Sequence, residues 1–287
     1  MNYFALDKKR MVILYILLSM GMGGQKGCAM KKADQNLFPY WKGKSPVLVI
    51  AHRGFSGAAP ENTLAAFRKA IEIGCDMIEL DVHLTRDGQV VVIHDDSLER
   101  TTNGRGKVKD YTLAQLKKLD AGSWFSSQFS GEQIPTLKEV LQLAKGKVPV
   151  CLEIKTKNLD LLSIRDLADK AWAEVRNAGM ENQVIFFSFH PYALERIQEK
   201  DARVWVLFLY QKPWNYVHEI TGGRSFPALG LNHSHLTKDK IVALRQKGMK
   251  IKVWTVNAEA DMEKFIPWQV DGIITNHPEK LIRILRN

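Results

Sequence analysis

Short apolar runs alternate with stretches of helical period from residue 47 to the C-terminus. VLVIA (47–51), MIELDV (77–82), VVVIH (90–94), VPVCLEIK (148–155) and VIFFSF (184–189) come first. RVWVLFLY, ALGLN, KIKVWTV and DGIIT then bring the β-like runs to nine. Leu64, Phe67 and Ile71 recur at helical spacing after Asn62, and further helices are expected over 160–177 and 192–199. Strands that alternate with helices form a parallel sheet. VVVIH follows MIELDV too closely for a parallel crossover, which needs about a dozen residues, so it must return antiparallel as a hairpin arm. Eight strands remain, the number that closes a (β/α)8 TIM barrel of roughly 250 residues. The hairpin and the helices after it then form a small insertion following the second strand. An open doubly wound sheet fits the same strand count.

The hairpin also has a register. Asp87-Gly88 favours a two-residue turn, which sets Arg86 against Gln89 and His94 opposite Asp81. Alternation places Glu79 and Asp81 on one face, and a bulge would shift His94 by one residue.

Composition adds a boundary. The chain has 287 residues, 45% hydrophobic and 25% charged, with a net charge of +10. Eight Lys/Arg against two Asp fall within 1–44, so most of the basic excess is N-terminal. No nucleic-acid-binding motif accompanies it, and no nucleic-acid partner is expected. Lys8-Lys9-Arg10 followed by MVILYILLSMGM has a signal-peptide layout and is short for a membrane span of roughly 20 residues. Residues 1–44 therefore read as a signal- or anchor-like segment and linker, with the barrel domain over 45–287. Export or membrane association in a bacterial periplasm or cell envelope is the expectation, with the N-terminus as a tether where it is retained. Gln25-Lys26-Gly27 before Cys28 is a poor lipobox, and Cys75 and Cys151 sit in apolar surroundings as small hydrophobes.

Barrel sites gather at the C-terminal ends of strands, and here those ends are polar: His52-Arg53-Gly54, Glu79 and Asp81, Glu153-Ile154-Lys155, Trp254-Thr255-Val256-Asn257. Glu79, Asp81 and Glu153 suit a hard divalent cation, which prefers oxygen ligands; the alternative is a buried ion network with Arg53 and Lys155. His52 and His94 are the candidate acid/base pair. Arg53 and Lys155 supply fixed positive charge for a phosphate or phosphodiester. Asn62 reads as the N-cap of its helix, Glu61 as a brace for the site, and Trp254 as core or pocket wall. His83 should share the face of Asp81 nearer the hairpin tip, whereas His190, His218, His233, His235 and His277 read as solvated or capping residues. A GxSxG elbow, a GxGxxG loop, a P-loop lysine and zinc-ligand spacing are all missing from the sequence.

AHRGFSGAAPENT, IELDVHLTRDGQVVVIHDD, LEIK, VWTVN and DGIITNHP, in this order, resemble the glycerophosphodiester phosphodiesterase family. RTTNGRGKV, LKKLDAGSWF and IPTLKEVL extend the likeness to its compact bacterial branch, from about residue 47 onward. The resemblance implies a (β/α)8 barrel that hydrolyses a glycerophosphodiester substrate to sn-glycerol 3-phosphate and an alcohol with one divalent cation, Mg2+ or Ca2+. It places His52 and His94 in the acid/base roles, Glu79, Asp81 and Glu153 as metal ligands, and Arg53 and Lys155 on the phosphate. One departure is Thr275-Asn276-His277-Pro278, where the family commonly has T-D-x-P; Asn276 is expected to cap the following helix instead. The rival readings are a related barrel phosphodiesterase acting on lysophospholipid or inositol head groups, and a non-catalytic barrel that binds glycerophosphodiesters.

Overall fold

The computed structural model describes residues 46–211 and 226–286. The N-terminal segment and His218 lie outside the described residues. Among those described, no helix is long and apolar enough to cross a membrane.

The first strand, β1 (Leu48–Ala51), is followed by α1 (Leu64–Glu72), β2 (Met77–Leu84) and the antiparallel arm β3 (Val90–Val92). After α2 (Leu113–Leu116) and α3 (Leu137–Ala144) comes β4 (Val150–Ile154), then α4 (Leu161–Ala178), β5 (Val184–Ser188), α5 (Pro191–Lys200) and β6 (Trp205–Tyr210). β7 (Ala228–Asn232), α6 (Lys238–Gln246), β8 (Lys250–Trp254), α7 (Glu259–Phe265), β9 (Gly272–Thr275) and α8 (Pro278–Arg286) complete the chain. The strand order is β1-β9-β8-β7-β6-β5-β4-β2-β3, and β1 also pairs with β2, which closes the sheet. Every pairing is parallel except β2 with β3. Removing β3 leaves the eight parallel strands of a closed barrel, so the open sheet is excluded.

Alternation along each strand sorts the core into two layers. Leu48, Ile50, Met77, Cys151, Ile185 and Phe187 fill the barrel interior, while their neighbours Val49, Ile78, Leu152 and Phe186 pack outward against the helices. Each such side chain is worth about 1.5–3 kcal/mol when fully buried. The insertion has its own small core of Val91, Ile93, Leu98, Val108, Leu116 and Ile134. Its helices are fixed locally: Thr112 with Gln115, and Thr136 with Glu139, form capping boxes at α2 and α3.

Two local expectations are corrected. The hairpin loop has three residues, Arg86-Asp87-Gly88, since Leu84 pairs with Val90 and Thr85 N–H donates to Gln89 O. Gly88 at φ 73° supplies the left-handed residue of that loop. The register is thereby shifted by one, and Asp81 O accepts from Ile93 N–H instead of facing His94. The cap of α1 is Thr63, whose hydroxyl accepts from Ala66 N–H, not Asn62.

Candidate active site

The inward series on the polar strands changes from apolar to ionisable as each nears its C-terminal end: Leu48, Ile50, then His52; Met77, Glu79, then Asp81; Cys151, Glu153, then Lys155. Asp81 and Glu153 are register partners across β2 and β4. One ligand oxygen from each of Glu79, Asp81 and Glu153 lies within 4.8 Å of the others, and all three residues are buried. Around them opens a cavity of about 580 Å3, lined on one side by His52, Arg53, His83, His94 and Lys155 and on the other by Phe187, Phe189, Leu209, Trp254 and Ile274. β1, β2 and β4 thus carry the charged half of the mouth, and β5, β6, β8 and β9 the apolar half.

The turn after β1 aims the backbone at the acids. Arg53 and Gly54 take φ values of 54° and 78°, and Arg53 N–H donates to Glu79 Oε2 at 2.8 Å. A Cβ at Gly54 would stand 2.7 Å from the backbone of Ala66, so glycine is required for α1 to pack this closely. The Arg53 guanidinium reaches Glu61 at 2.7 Å and Asp81 at 3.5 Å. Lys155 Nζ lies 2.7 Å from Glu153 and 3.3 Å from Asp81 Oδ1.

Charge is therefore crowded out of balance. Burial, then Asp81 and Glu153, push Glu79 well above the usual carboxylate range. Burial outweighs Lys155 and, with Asp81, pushes Glu153 up to about 7. At Asp81 burial works upward but is overcome by Lys155, Arg53 and His94, which hold it well below that range. Asp81 Oδ1 is buried without a hydrogen bond. Three carboxylates against two cations, with Asp81 Oδ1 held only by a charge contact to Lys155 and by no hydrogen bond, fit a hard divalent cation.

The histidines are held by different partners. His52 Nδ1 bonds Asn276 Oδ1 at 2.6 Å, so Nδ1 carries the proton and Nε2 is turned inward, 4.0 Å from Glu79. Burial and then Arg53 push His52 down to about 4. His94 Nδ1 bonds the Asp95 carboxylate at 2.6 Å, and burial lowers its pKa in spite of that partner. His94 reaches the mouth because the chain leaves the ladder after β3. Its carbonyl is gripped at 3.0 Å by His83 Nε2, so His83 braces the bend from the same cavity.

Asn62 and Asn276 are misread by the capping rule. The Asn62 amide bonds Asp81 twice, donating to Oδ2 at 2.9 Å and accepting from the backbone N–H at 3.4 Å. Asn276 has its side chain on His52, and its backbone N–H donates to Asn257 Oδ1 at 2.9 Å, so Asn257 of VWTVN sets the amide that orients the histidine. Glu61 braces from behind, bonded by Arg53 and by Arg100, which also holds Asp95 at 2.6 Å. Asp95, Arg100 and Asn257 lay within the quoted motifs without any local signal of these contacts. Trp254 lines the cavity, edge-on to Phe189 with ring centroids 5.5 Å apart. His190 caps α5, as a capping residue should, and His277 faces Glu279 at 3.4 Å. Cys75 and Cys151 are free and buried.

Fold and site together define a closed (β/α)8 barrel whose mouth pairs a buried acidic cluster with two histidines and two fixed positive charges. The profile of the Glycerophosphoryl diester phosphodiesterase family matches residues 52–280. A glycerophosphodiester phosphodiesterase of Caldanaerobacter subterraneus subsp. tengcongensis is 41% identical over 244 residues, covering 83% of this chain and 98% of that protein. Among solved structures, an Oleispira antarctica phosphodiesterase in complex with the product sn-glycerol-3-phosphate aligns with a TM-score of 0.75 at 29% identity, covering 84% and 97% of the two chains. The glycerophosphodiester phosphodiesterase of Agrobacterium tumefaciens aligns at 0.69 and 30%, covering 83% and 99%. The chain belongs to the glycerophosphoryl diester phosphodiesterase family.

Proposed function

We propose that the protein hydrolyses glycerophosphodiesters to sn-glycerol 3-phosphate and an alcohol, with one divalent cation held by Glu79, Asp81 and Glu153. The observation that carries this reading is the charge balance of the buried cluster. Ionised, the three carboxylates exceed Arg53 and Lys155 by one negative charge. A divalent cation reverses that to one positive, which matches the single negative charge of a phosphodiester. When bound, the cation supplies charge stabilisation to the phosphoryl oxygens.

The chain's own groups do the rest. Arg53 and Lys155 bind and orient the phosphate and stabilise the charge that grows on it in the transition state. The apolar half of the mouth, with Trp254, shields the glycerol end from water. His52, backed by a neutral amide and presenting a bare Nε2, removes the proton from the nucleophile, the glycerol 2-hydroxyl or water. His94, backed by the Asp95 carboxylate that stabilises its imidazolium, returns a proton to the departing alkoxide. Glu61, Asn62 and Arg100 hold these groups in place.

The test is release of glycerol 3-phosphate from glycerophosphodiesters with Mg2+ or Ca2+ present and after complete chelation. Release that stops on chelation and returns with the cation supports the reading. Release that survives removal of all metal overturns the carboxylate assignment, and binding without release in any metal overturns the enzymatic one.

A further inference from the structure

A second cavity of about 280 Å3 opens beside the first, and His83, Asp96 and Lys157 line both. It lies between the end of β2, the insertion and the start of α4, on the charged side of the mouth where His94 stands. Its floor is apolar, from Leu84, Val108, Leu159 and Leu167, and its rim carries Lys107, Lys109 and Lys157. The charges on that rim are unevenly paired. Lys107 is held by Asp96 at 3.0 Å, and the rim's other acid, Asp166, by Lys170 at 2.8 Å. Lys109 acts on the Asp160 carboxylate through space, but among the described residues neither Lys109 nor Lys157 has an ion-pair partner.

We propose that this cavity is the subsite for the leaving alcohol and that it favours an alcohol carrying its own anionic group, a phosphate or a carboxylate. The inference rests on the diesterase reading above. In that reading the glycerol end lies against the aromatic wall, so the alcohol leaves toward His94 and the shared residues His83, Asp96 and Lys157. The volume admits a head group of a few carbons, and two unpaired ammonium groups on its rim attract an anion and repel a quaternary ammonium.

The experiment measures kcat/KM per diester bond cleaved, followed by phosphorus NMR, for three diesters: one whose alcohol is choline, one whose alcohol is glycerol, and one whose alcohol is itself glycerol phosphate. A glycerate diester, whose alcohol carries a carboxylate and no ammonium, serves as the carboxylate arm and separates the two anions. The phosphorylated alcohol should be preferred over choline about five- to tenfold, and the preference should shrink as salt is raised. Lys109→Glu should lower the ratio of the two substrates at least about fivefold, and Lys109→Ala should lower it less. Equal kcat/KM for the choline and phosphorylated substrates, or a ratio unmoved by Lys109→Glu, overturns the subsite while leaving the diesterase reading intact. No release from any of the diesters overturns the diesterase reading itself.

Discussion

Glu153→Gln should stabilise the metal-free protein, and increasingly so as pH rises. The folded-state pKa of Glu153 is raised from 4.5 to about 7, with burial the first cause. A carboxylate with a raised folded pKa makes stability fall as pH climbs from its unfolded value, and the loss is complete above the folded one. At 1.36 kcal/mol per unit, the penalty is about 1 kcal/mol at pH 5 and about 3 kcal/mol at pH 8. Glutamine carries no such penalty, so the advantage of the variant should widen by about 2–3 kcal/mol between those pH values, or roughly 5–10 °C in Tm. His52, lowered to about 4, acts with the opposite sign, adding stability as pH rises to its unfolded value near 6.5. It is present in both proteins, so its contribution cancels in the difference between them. Glu79 would lose a like-charged neighbour in the variant, which adds to the widening. Thermal or urea unfolding of chelated samples at pH 5 and pH 8 measures the effect, and saturating Mg2+ or Ca2+ should then raise the Tm of the wild type far more than that of the variant. A gap that stays constant from pH 5 to pH 8, or equal rescue of both proteins by the cation, would refute the argument that these carboxylates are crowded for want of a cation.

His52→Ala and His94→Ala should each lower turnover by about 10²–10⁴, and a nitrophenol leaving group, which departs without a proton, should restore much of the loss in His94→Ala alone; equal rescue of both variants would contradict the assigned roles. Asn62→Ala removes both bonds to buried Asp81 and should cost about 1–3 kcal/mol of stability; denaturation within a few tenths of the wild type would show that the amide is not needed. Asn276→Asp puts a carboxylate on His52 Nδ1 and should raise the pKa of that ring, so the acid limb of the kcat/KM profile moves to higher pH. An unmoved limb would mean that His52 is not the base.

The barrel and its acid cluster were legible because both depend on short periods. Eight buried strands show as apolar runs, and alternation by two puts Glu79 beside Asp81 and Asp81 beside Glu153 once the strands pair. The hairpin register was not, because Asp-Gly serves two- and three-residue loops alike and only the pairing of Thr85 with Gln89 tells them apart. Asn62 and Asn276 fail for a different reason. Each precedes a helix, where asparagine is a good cap, yet each gives its side chain to a group 19 or 224 residues away. Thr63 takes over the cap of α1, which leaves Asn62 at φ 58° for Asp81. His277 N–H is satisfied by Thr275 Oγ1, which leaves Asn276 for His52. A neighbouring threonine does the local work in both cases, so the asparagine can serve the site without leaving the backbone short of a partner. Where a local rule fails at a residue whose neighbour can satisfy it, the failure itself points to the site, and in this chain both failures point at the same barrel mouth.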